Sequence, residues 1–231
     1  MSARNLPPIT WSLRNTILGL LGGLAAGVFI PLLVLPFDPD LESEAGLLAA
    51  QALFGAVLIT VALGIASEWR LGALSAAARR LGLRRFAPSA LGWMLAVLFA
   101  YYVGAAIFAA FVVQPEQEDI GGELGACGGS LAEVAIPVLL IAGLAPISEE
   151  LFFRGFLFAG LRARLSLWPA ALVAGLVFGL VHAPTGVTTV VPLAGLGVGL
   201  CWLYERTGSL WPPILAHVVN NSIALAVLCN T

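Results

Sequence analysis

Seven strongly polar side chains fall inside the most apolar stretches of this sequence, where no loop accounts for them: Glu149, Glu150, Arg154, His182, His217, Asn220 and Asn221. Charged side chains are costly inside a membrane and tend to mark functional sites there. A carboxylate and an imidazole can together hold and deprotonate a water molecule. A second imidazole and an amide can donate hydrogen bonds to the oxyanion that forms when this water attacks a peptide carbonyl. The residue types therefore indicate hydrolytic chemistry.

Helical spacing assigns different roles to the two adjacent acids. Glu150 precedes Arg154 by four residues, which is the favourable order for an ion pair along one helix. Glu149 points about 100° away from Glu150 around the same helix, so Arg154 cannot easily neutralise both acids. Glu149 is then the carboxylate left to act as a general base. We expect it to activate water together with His182.

Two further pairs of residues share a helix face through the same four-residue spacing. His217 and Asn221 form one pair and are the predicted oxyanion stabilisers, while Phe178 offers a packing surface beside His182. At a rise of about 1.5 Å per residue, Glu149 and His182 each lie roughly 20 Å from the cytoplasmic ends of their helices, and His217 and Asn221 roughly 12 and 18 Å. This common depth predicts a polar cavity in the middle of the membrane.

The elements that must position these groups are membrane-spanning helices. The chain is 60% hydrophobic and 10% charged, against about 45–50% and about 25% in soluble domains. A span needs about 20 apolar residues, and only a helix satisfies its own backbone in lipid. We therefore predict an all-α polytopic bundle of about seven transmembrane helices: Ile17–Pro36, Ala45–Ala66, Ala90–Val113, Leu131 to about Leu161 (kinked or broken), Trp168–Pro184, Val187–Tyr204 and Leu210–Leu228.

The distribution of charge orients the predicted bundle in a cell (inner or plasma) membrane. Arginines precede the first span and fill the basic loop 67–89, whereas the loops 37–44 and 114–130 carry acids and no arginine. The positive-inside rule then places the N-terminus in the cytoplasm. Segment 70–86 is either an interfacial helix or a plain cytoplasmic loop. The net charge of −2 gives no indication of a nucleic-acid partner.

The small residues predict packing more than chemistry. Gly23-x-x-x-Gly27 and Gly175-x-x-x-Gly179 allow close approach of helices. The three cysteines lack metal-site spacing and are expected to be small apolar residues, with a Cys127–Cys229 disulfide as the alternative. The chain is predicted to be one transmembrane domain, residues 1–231, with the first three spans in 1–128 and the catalytic core in 129–231.

Other uses of the same polar residues stay open. Glu149, His182 and His217 form a His₂Glu set that can hold catalytic Zn²⁺, although a site without a metal is the preferred interpretation and no cofactor is predicted. A buried polar network that only joins helices, or an ion pathway, would use the same residue types. The sequence does not predict an oligomeric state.

Three motifs on three predicted spans resemble those of a known family. Residues 149–154 (EELFFR) resemble E-E-x-x-x-R, residues 178–182 (FGLVH) resemble F-x-x-x-H, and residues 217–221 (HVVNN) resemble H-x-x-x-N. These motifs are similar to those of the CPBP (ABI) family, which groups type II CAAX prenyl endopeptidases with bacteriocin-processing and bacteriocin self-immunity proteins. The resemblance covers residues 131 to 228.

The resemblance implies peptide-bond hydrolysis inside the membrane. By motif position, the general base is Glu149, the water-binding residue is His182, and the oxyanion pair is His217 and Asn221, with Glu150 and Arg154 in supporting positions. The implied substrate is a hydrophobic or membrane-tethered peptide. The family has been described both as metalloproteases and as glutamate-dependent proteases, and its enzymes commonly have eight spans. The alternative function is a non-catalytic self-immunity or scaffold protein.

Overall fold

A computed structural model of the chain describes residues 6–38, 43–112, 120–123 and 125–230, and these residues form helices and turns with no strand. The α-helices are α1 (Leu13–Val34), α2 (Glu44–Ala66), α3 (Leu74–Arg80), α4 (Ser89–Phe111), α5 (Ile120–Glu123), α6 (Leu131–Leu139), α7 (Ala145–Glu149), α8 (Ala159–Arg162), α9 (Leu167–Leu180), α10 (Val190–Thr207) and α11 (Trp211–Leu228). The all-α prediction is confirmed.

Six helices of the described residues are long and apolar enough to cross a membrane: Leu13–Val34, Glu44–Ala66, Ser89–Phe111, Glu133–Arg162, Val187–Thr207 and Trp211–Leu228. The chain is therefore a polytopic membrane protein, but with fewer long helices than the seven or eight predicted. The predicted fifth span, Trp168–Pro184, was too long. Helix α9 has only 14 residues, about 21 Å at 1.5 Å per residue, which is short of about 30 Å of hydrocarbon.

Helix α9 ends early because the residues that follow it cannot continue an α-helix. Pro184 has no backbone N–H to donate, and Gly186 adopts a positive φ of 130° that L side chains rarely tolerate. The chain instead forms two 3₁₀ turns, Ala183–Thr185 and Val187–Thr189, before α10 begins. This early ending places His182 at the tip of α9.

Glycines bring α9 and α10 into backbone contact. A Cβ atom on Gly175 would lie 2.7 Å from the Val198 side chain and 2.8 Å from the Ala194 carbonyl oxygen. One turn later, Gly179 faces Val190 and Ala194, so the two helices are antiparallel. The predicted packing role of Gly175-x-x-x-Gly179 is confirmed.

We expect a Gly175→Val substitution to destabilise the protein, because the opposing backbone atoms cannot move aside. Overpacking of this kind costs about 1–3 kcal/mol. The measurement is thermal unfolding in detergent. Gly195→Val is the matched control on the same helix pair, because a Cβ there meets nothing within 4 Å. Equal destabilisation by both substitutions would contradict the close-packing role of Gly175.

The fourth hydrophobic stretch is one continuous helical run, not a broken helix. Two π-helical segments, Leu140–Leu144 and Glu150–Phe158, join α6, α7 and α8 without an interruption. The first π segment precedes Pro146, which lacks an N–H and cannot donate to the helical ladder. This run is called the central helix below (Leu131–Arg162).

Helix α1 packs on the central helix through glycines that differ from the predicted pair. Gly19 and Gly23 face the rings of Phe156 and Phe152, whereas the nearest atom to a Cβ on Gly27 is 3.8 Å away, on Phe54. The packing role predicted for Gly23 is therefore confirmed, whereas the close approach predicted at Gly27 occurs one turn earlier, at Gly19. The large aromatic rings of the central helix require the absence of a side chain at Gly19 and Gly23.

The basic loop between α2 and α4 docks on the protein through its last residues. Leu81 is fully buried, and its carbonyl accepts a hydrogen bond of 2.9 Å from the Tyr204 hydroxyl. Leu71, in contrast, is 84% exposed. Within the predicted segment 70–86, a helix forms over Leu74–Arg80, and the chain then turns Leu81 inward.

A disulfide joins the two chain segments at one end of the bundle. Cys127 is bonded to Cys229 with their Cα atoms 5.0 Å apart, while Cys201 is a buried free cysteine. The disulfide alternative is thus confirmed for the first two residues, and the small-apolar interpretation holds for Cys201. The bond ties the loop before the central helix to the end of α11, so it links the ends of two helices that carry polar motifs.

Candidate active site

Three helices bring a carboxylate and both imidazoles together. Glu149 Oε2 on the central helix lies 4.0 Å from His182 Nε2 at the tip of α9 and 3.8 Å from His217 Nε2 on α11. The side chains are 11%, 26% and 4% exposed, respectively, so the cluster is largely shielded and opens on the His182 side. The prediction that polar side chains from three helices lie close together is confirmed.

A second carboxylate fixes His217 from the other side. Glu150 Oε1 accepts a hydrogen bond of 2.6 Å from Arg154 and lies 2.8 Å from His217 Nδ1. Glu150 and Arg154 are fully buried. The i,i+4 ion pair is therefore present as predicted, but Glu150 also orients the imidazole of His217, a contact that the sequence did not indicate.

Phe178 is the packing centre of the site. Its ring centroid lies 4.3 Å from the Arg154 guanidinium carbon, 4.8 Å from the His182 ring and 5.7 Å from the His217 ring. A cation over an aromatic face is stabilised by the ring quadrupole, and more strongly away from water. Phe178 therefore packs against the side chains of Arg154, His182 and His217 and fixes their relative positions.

The end of α9 sets the orientation of His182. The His182 backbone N–H bonds to the carbonyl of Gly179, three residues back, instead of to Phe178. The Phe178 carbonyl is then available to the imidazole, and His182 Nδ1 lies 2.7 Å from it. A carbonyl oxygen only accepts, so Nδ1 carries the proton and the lone pair of a neutral ring is at Nε2, the atom nearest Glu149.

Asn221 is oriented by the central helix. Its side-chain Nδ2 donates a hydrogen bond of 3.0 Å to the carbonyl of Ile141, and its Oδ1 accepts one of 3.3 Å from Asn220. Asn220 in turn accepts a hydrogen bond of 3.1 Å from the Tyr102 hydroxyl of α4. Sequence reasoning placed Asn221 in the site, gave Asn220 no role and missed Tyr102, although a tyrosine inside an apolar span needs a polar partner.

The distances between Glu149, His182 and His217 bear on whether these residues can hold a zinc ion. Two ligands of a tetrahedral zinc ion lie about 3.3 Å apart when each bond is about 2.0 Å, which is shorter than the 3.8 and 4.0 Å between Glu149 Oε2 and the two imidazoles. Among the described residues, no group of three or more His, Cys, Asp or Glu has metal-site geometry. The spacing of Glu149, His182 and His217 therefore does not fit a zinc ion.

Comparison with known proteins adds an independent line of evidence. Residues 131–223 match the family model of type II CAAX prenyl endopeptidases, Rce1-like. The match contains all three motifs. It confirms the resemblance to the CPBP family. The matched segment, called the CPBP-like region below, is less than half of the 231 residues and excludes α1, α2 and α4.

Two curated relatives are similar over part of their length. A Bacillus subtilis (strain 168) protein named "Putative membrane peptidase YdiL" is 31% identical over 93 residues, 39% of this chain and 37% of the relative. An "Uncharacterized 24.3 kDa protein" of Escherichia coli is 28% identical over 136 residues, 58% of this chain and 62% of the relative. The alignments thus span under two thirds of either relative. No solved structure matches the chain.

Proposed function

We propose that this protein is an intramembrane endopeptidase that hydrolyses peptide bonds of hydrophobic or membrane-tethered peptides. One observation carries the proposal. Glu149 Oε2 is buried and makes no hydrogen bond to any described residue, yet the Nε2 atoms of two imidazoles lie 3.8 and 4.0 Å from it. Buried polar atoms are almost always satisfied, and a gap of this size is one that a water molecule bridges.

Glu149 and His182 are suited to activating that water. The lone pair at His182 Nε2 accepts one hydrogen bond from the water, and the Glu149 carboxylate accepts the other. As the water oxygen attacks the peptide carbonyl carbon, Glu149 takes its proton. When the C–N bond breaks, Glu149 returns that proton to the leaving amine nitrogen, so the carboxylate is regenerated.

The charges of the site support an oxyanion role for His217. Arg154 balances Glu150, and Glu149 needs one further positive charge because an unpaired buried charge is strongly unfavourable. His217 lies between both carboxylates, and the proposal assigns it the protonated form, in which both ring nitrogens donate. Its Nδ1–H is donated to Glu150, and its Nε2–H faces the reaction centre. When the proton moves to Glu149, the negative charge moves to the oxyanion and His217 still balances it.

Asn221 supplies the second donor of the proposed oxyanion site. Its Nδ2 carries two N–H bonds, of which one is donated to Ile141 and the other is assigned to the oxyanion. Loss of one such donor costs about 10²–10³ in kcat in well-studied hydrolases.

We further propose that the protein lies in the cell membrane with its N-terminus on the cytoplasmic side, because the Arg-rich loops then follow the positive-inside rule.

The decisive test is cleavage of hydrophobic peptides by the purified protein in liposomes, with new peptide termini identified by mass spectrometry. We expect cleavage by the wild-type protein with and without a chelator, and a loss of about 10²–10⁴-fold in kcat for His182→Ala. Loss of cleavage on chelation, restored by Zn²⁺, would replace the carboxylate mechanism by a metal one. Absence of cleavage by correctly inserted wild-type protein across the peptide library would contradict the endopeptidase and favour the immunity or scaffold alternative.

A further inference from the structure

We infer that Tyr102 and Asn220 are positioning residues that hold the Asn221 amide in place. The inference rests on the proposed function, because it assigns these two residues to the oxyanion site of that reaction. It also gives a role to α4, a helix outside the CPBP-like region. Tyr102 of α4 donates a hydrogen bond to Asn220 in the polar motif of α11.

The anchor of the arrangement is the backbone carbonyl of Ile141. In the π-helical turn Leu140–Leu144, the N–H of Ala145 bonds to the carbonyl of Leu140, five residues back. The next residue, Pro146, has no N–H. The two backbone donors that would normally reach the Ile141 carbonyl are therefore used elsewhere or missing. A side chain must satisfy this carbonyl inside the membrane, and Asn221 Nδ2 does so at 3.0 Å.

The fixed polarity of that carbonyl determines every hydrogen bond that follows it. Because the Ile141 oxygen only accepts, the amide nitrogen of Asn221 must face it and the Asn221 oxygen must face Asn220. Asn220 then has to present its own nitrogen to Asn221, at 3.3 Å. Its oxygen is left to accept from the Tyr102 hydroxyl, at 3.1 Å. The Ile141 carbonyl thus specifies the amide orientations of both asparagines, and the Tyr102 hydroxyl, which can donate or accept, completes the chain of hydrogen bonds as a donor to Asn220.

The apolar membrane strengthens the hydrogen bond from the Tyr102 hydroxyl to Asn220. Tyr102 is 37% exposed within an apolar span, whereas Asn220 is buried. Lipid tails offer the phenol no hydrogen-bond partner, so the hydroxyl has little alternative to Asn220. Without the hydroxyl, the Asn220 oxygen loses its partner, and rotation of that amide removes the constraint on Asn221. An oxyanion donor displaced by about 1 Å is expected to lower the rate substantially.

The test compares Tyr102→Phe with Tyr101→Phe in the liposome cleavage assay. Tyr101 is the adjacent residue of α4 and takes part in none of these hydrogen bonds, so it is the matched control for loss of a phenol hydroxyl. We expect Tyr102→Phe to lower kcat about 3- to 10-fold, the worth of one ordinary hydrogen bond, with KM unchanged. Tyr101→Phe should leave both parameters unchanged. Asn220→Leu should lower kcat at least as much as Tyr102→Phe.

The same substitution in an Asn221→Ala background separates positioning from general stability. If Tyr102 acts through Asn221, Tyr102→Phe causes no further fall in kcat once the Asn221 amide is absent. A further fall there, a change in KM alone, or equal effects of the two tyrosine substitutions would each overturn the inference. Failure of the wild-type protein to cleave would instead refute the proposed function, so the two failures are distinguishable.

Discussion

Glu149→Gln is expected to lower kcat for peptide cleavage by about 10²–10⁴-fold, the usual contribution of a general base. Glutamine preserves the size of the side chain and can still accept a hydrogen bond at Oε1, but it cannot take a proton from water. Because Glu149 Oε2 makes no hydrogen bond within the described part of the chain, the substitution breaks no hydrogen bond at that atom, although it removes the charge that faces His182 and His217. Thermal unfolding in detergent should therefore change much less than kcat.

Glu68→Gln is the control for the loss of a glutamate charge. Glu68 is exposed and pairs only with the neighbouring Arg70 among the described contacts, far along the chain from the polar motifs. This variant should cleave at the wild-type rate. A Glu149→Gln protein that cleaves as fast as the wild type would remove Glu149 from the reaction and with it the proposed mechanism.

The second large effect is on stability and concerns Arg154. We expect Arg154→Met to destabilise the protein by about 3–5 kcal/mol, because the Glu150 carboxylate then stays buried without its ion-pair partner. Arg154 and Glu150 are 1% and 0% exposed at their side chains, so water cannot replace the lost cation. Chemical or thermal unfolding in detergent measures the change.

A double substitution tests the cause of that loss. Glu150→Leu combined with Arg154→Met removes both charges, and buried ion pairs replaced by apolar residues often retain or gain stability. The double variant should therefore be more stable than Arg154→Met alone. Arg70→Met, which breaks the exposed pair with Glu68, should have little effect, since exposed pairs contribute little. A double variant no more stable than Arg154→Met would contradict the charge explanation and leave packing on Phe178 or the lost Glu150–His217 contact as the cause.

Glu149 and Glu150 show how much can be predicted from residue spacing within one helix. Four-residue spacing on one helix predicted the Glu150–Arg154 pair, and the structure has it. The same reasoning separated Glu149 from that pair and directed it to another face. What spacing could not show is that His217, 67 residues further along the chain, lies 2.8 Å from Glu150 and only 3.8 Å from Glu149. That contact depends on the rotation of α11 against the central helix.

The fifth predicted span shows the limit of hydropathy. Trp168–Pro184 is apolar except for His182, so composition alone extends the helix to the proline. The structure ends α9 at Leu180, and the tightened last turn frees the Phe178 carbonyl that orients His182. Proline and glycine after His182 were visible in the sequence. Their effect on the hydrogen bonding of the preceding turn could be seen only in the folded chain.

The sequence by itself determined the membrane class, the helices, and which side chains on one helix share a face, because helix periodicity and the thickness of the bilayer constrain these locally. Only the tertiary structure decided that Asn221 donates to the Ile141 carbonyl, that Tyr102 donates to Asn220, that Cys127 is bonded to Cys229, and that Gly19 packs more closely on an aromatic ring than Gly27 does. Contacts between helices depend on the depth and rotation of each helix to within a few ångströms. Those quantities are set by the packing of all the helices together and are not encoded in the spacing along any one of them.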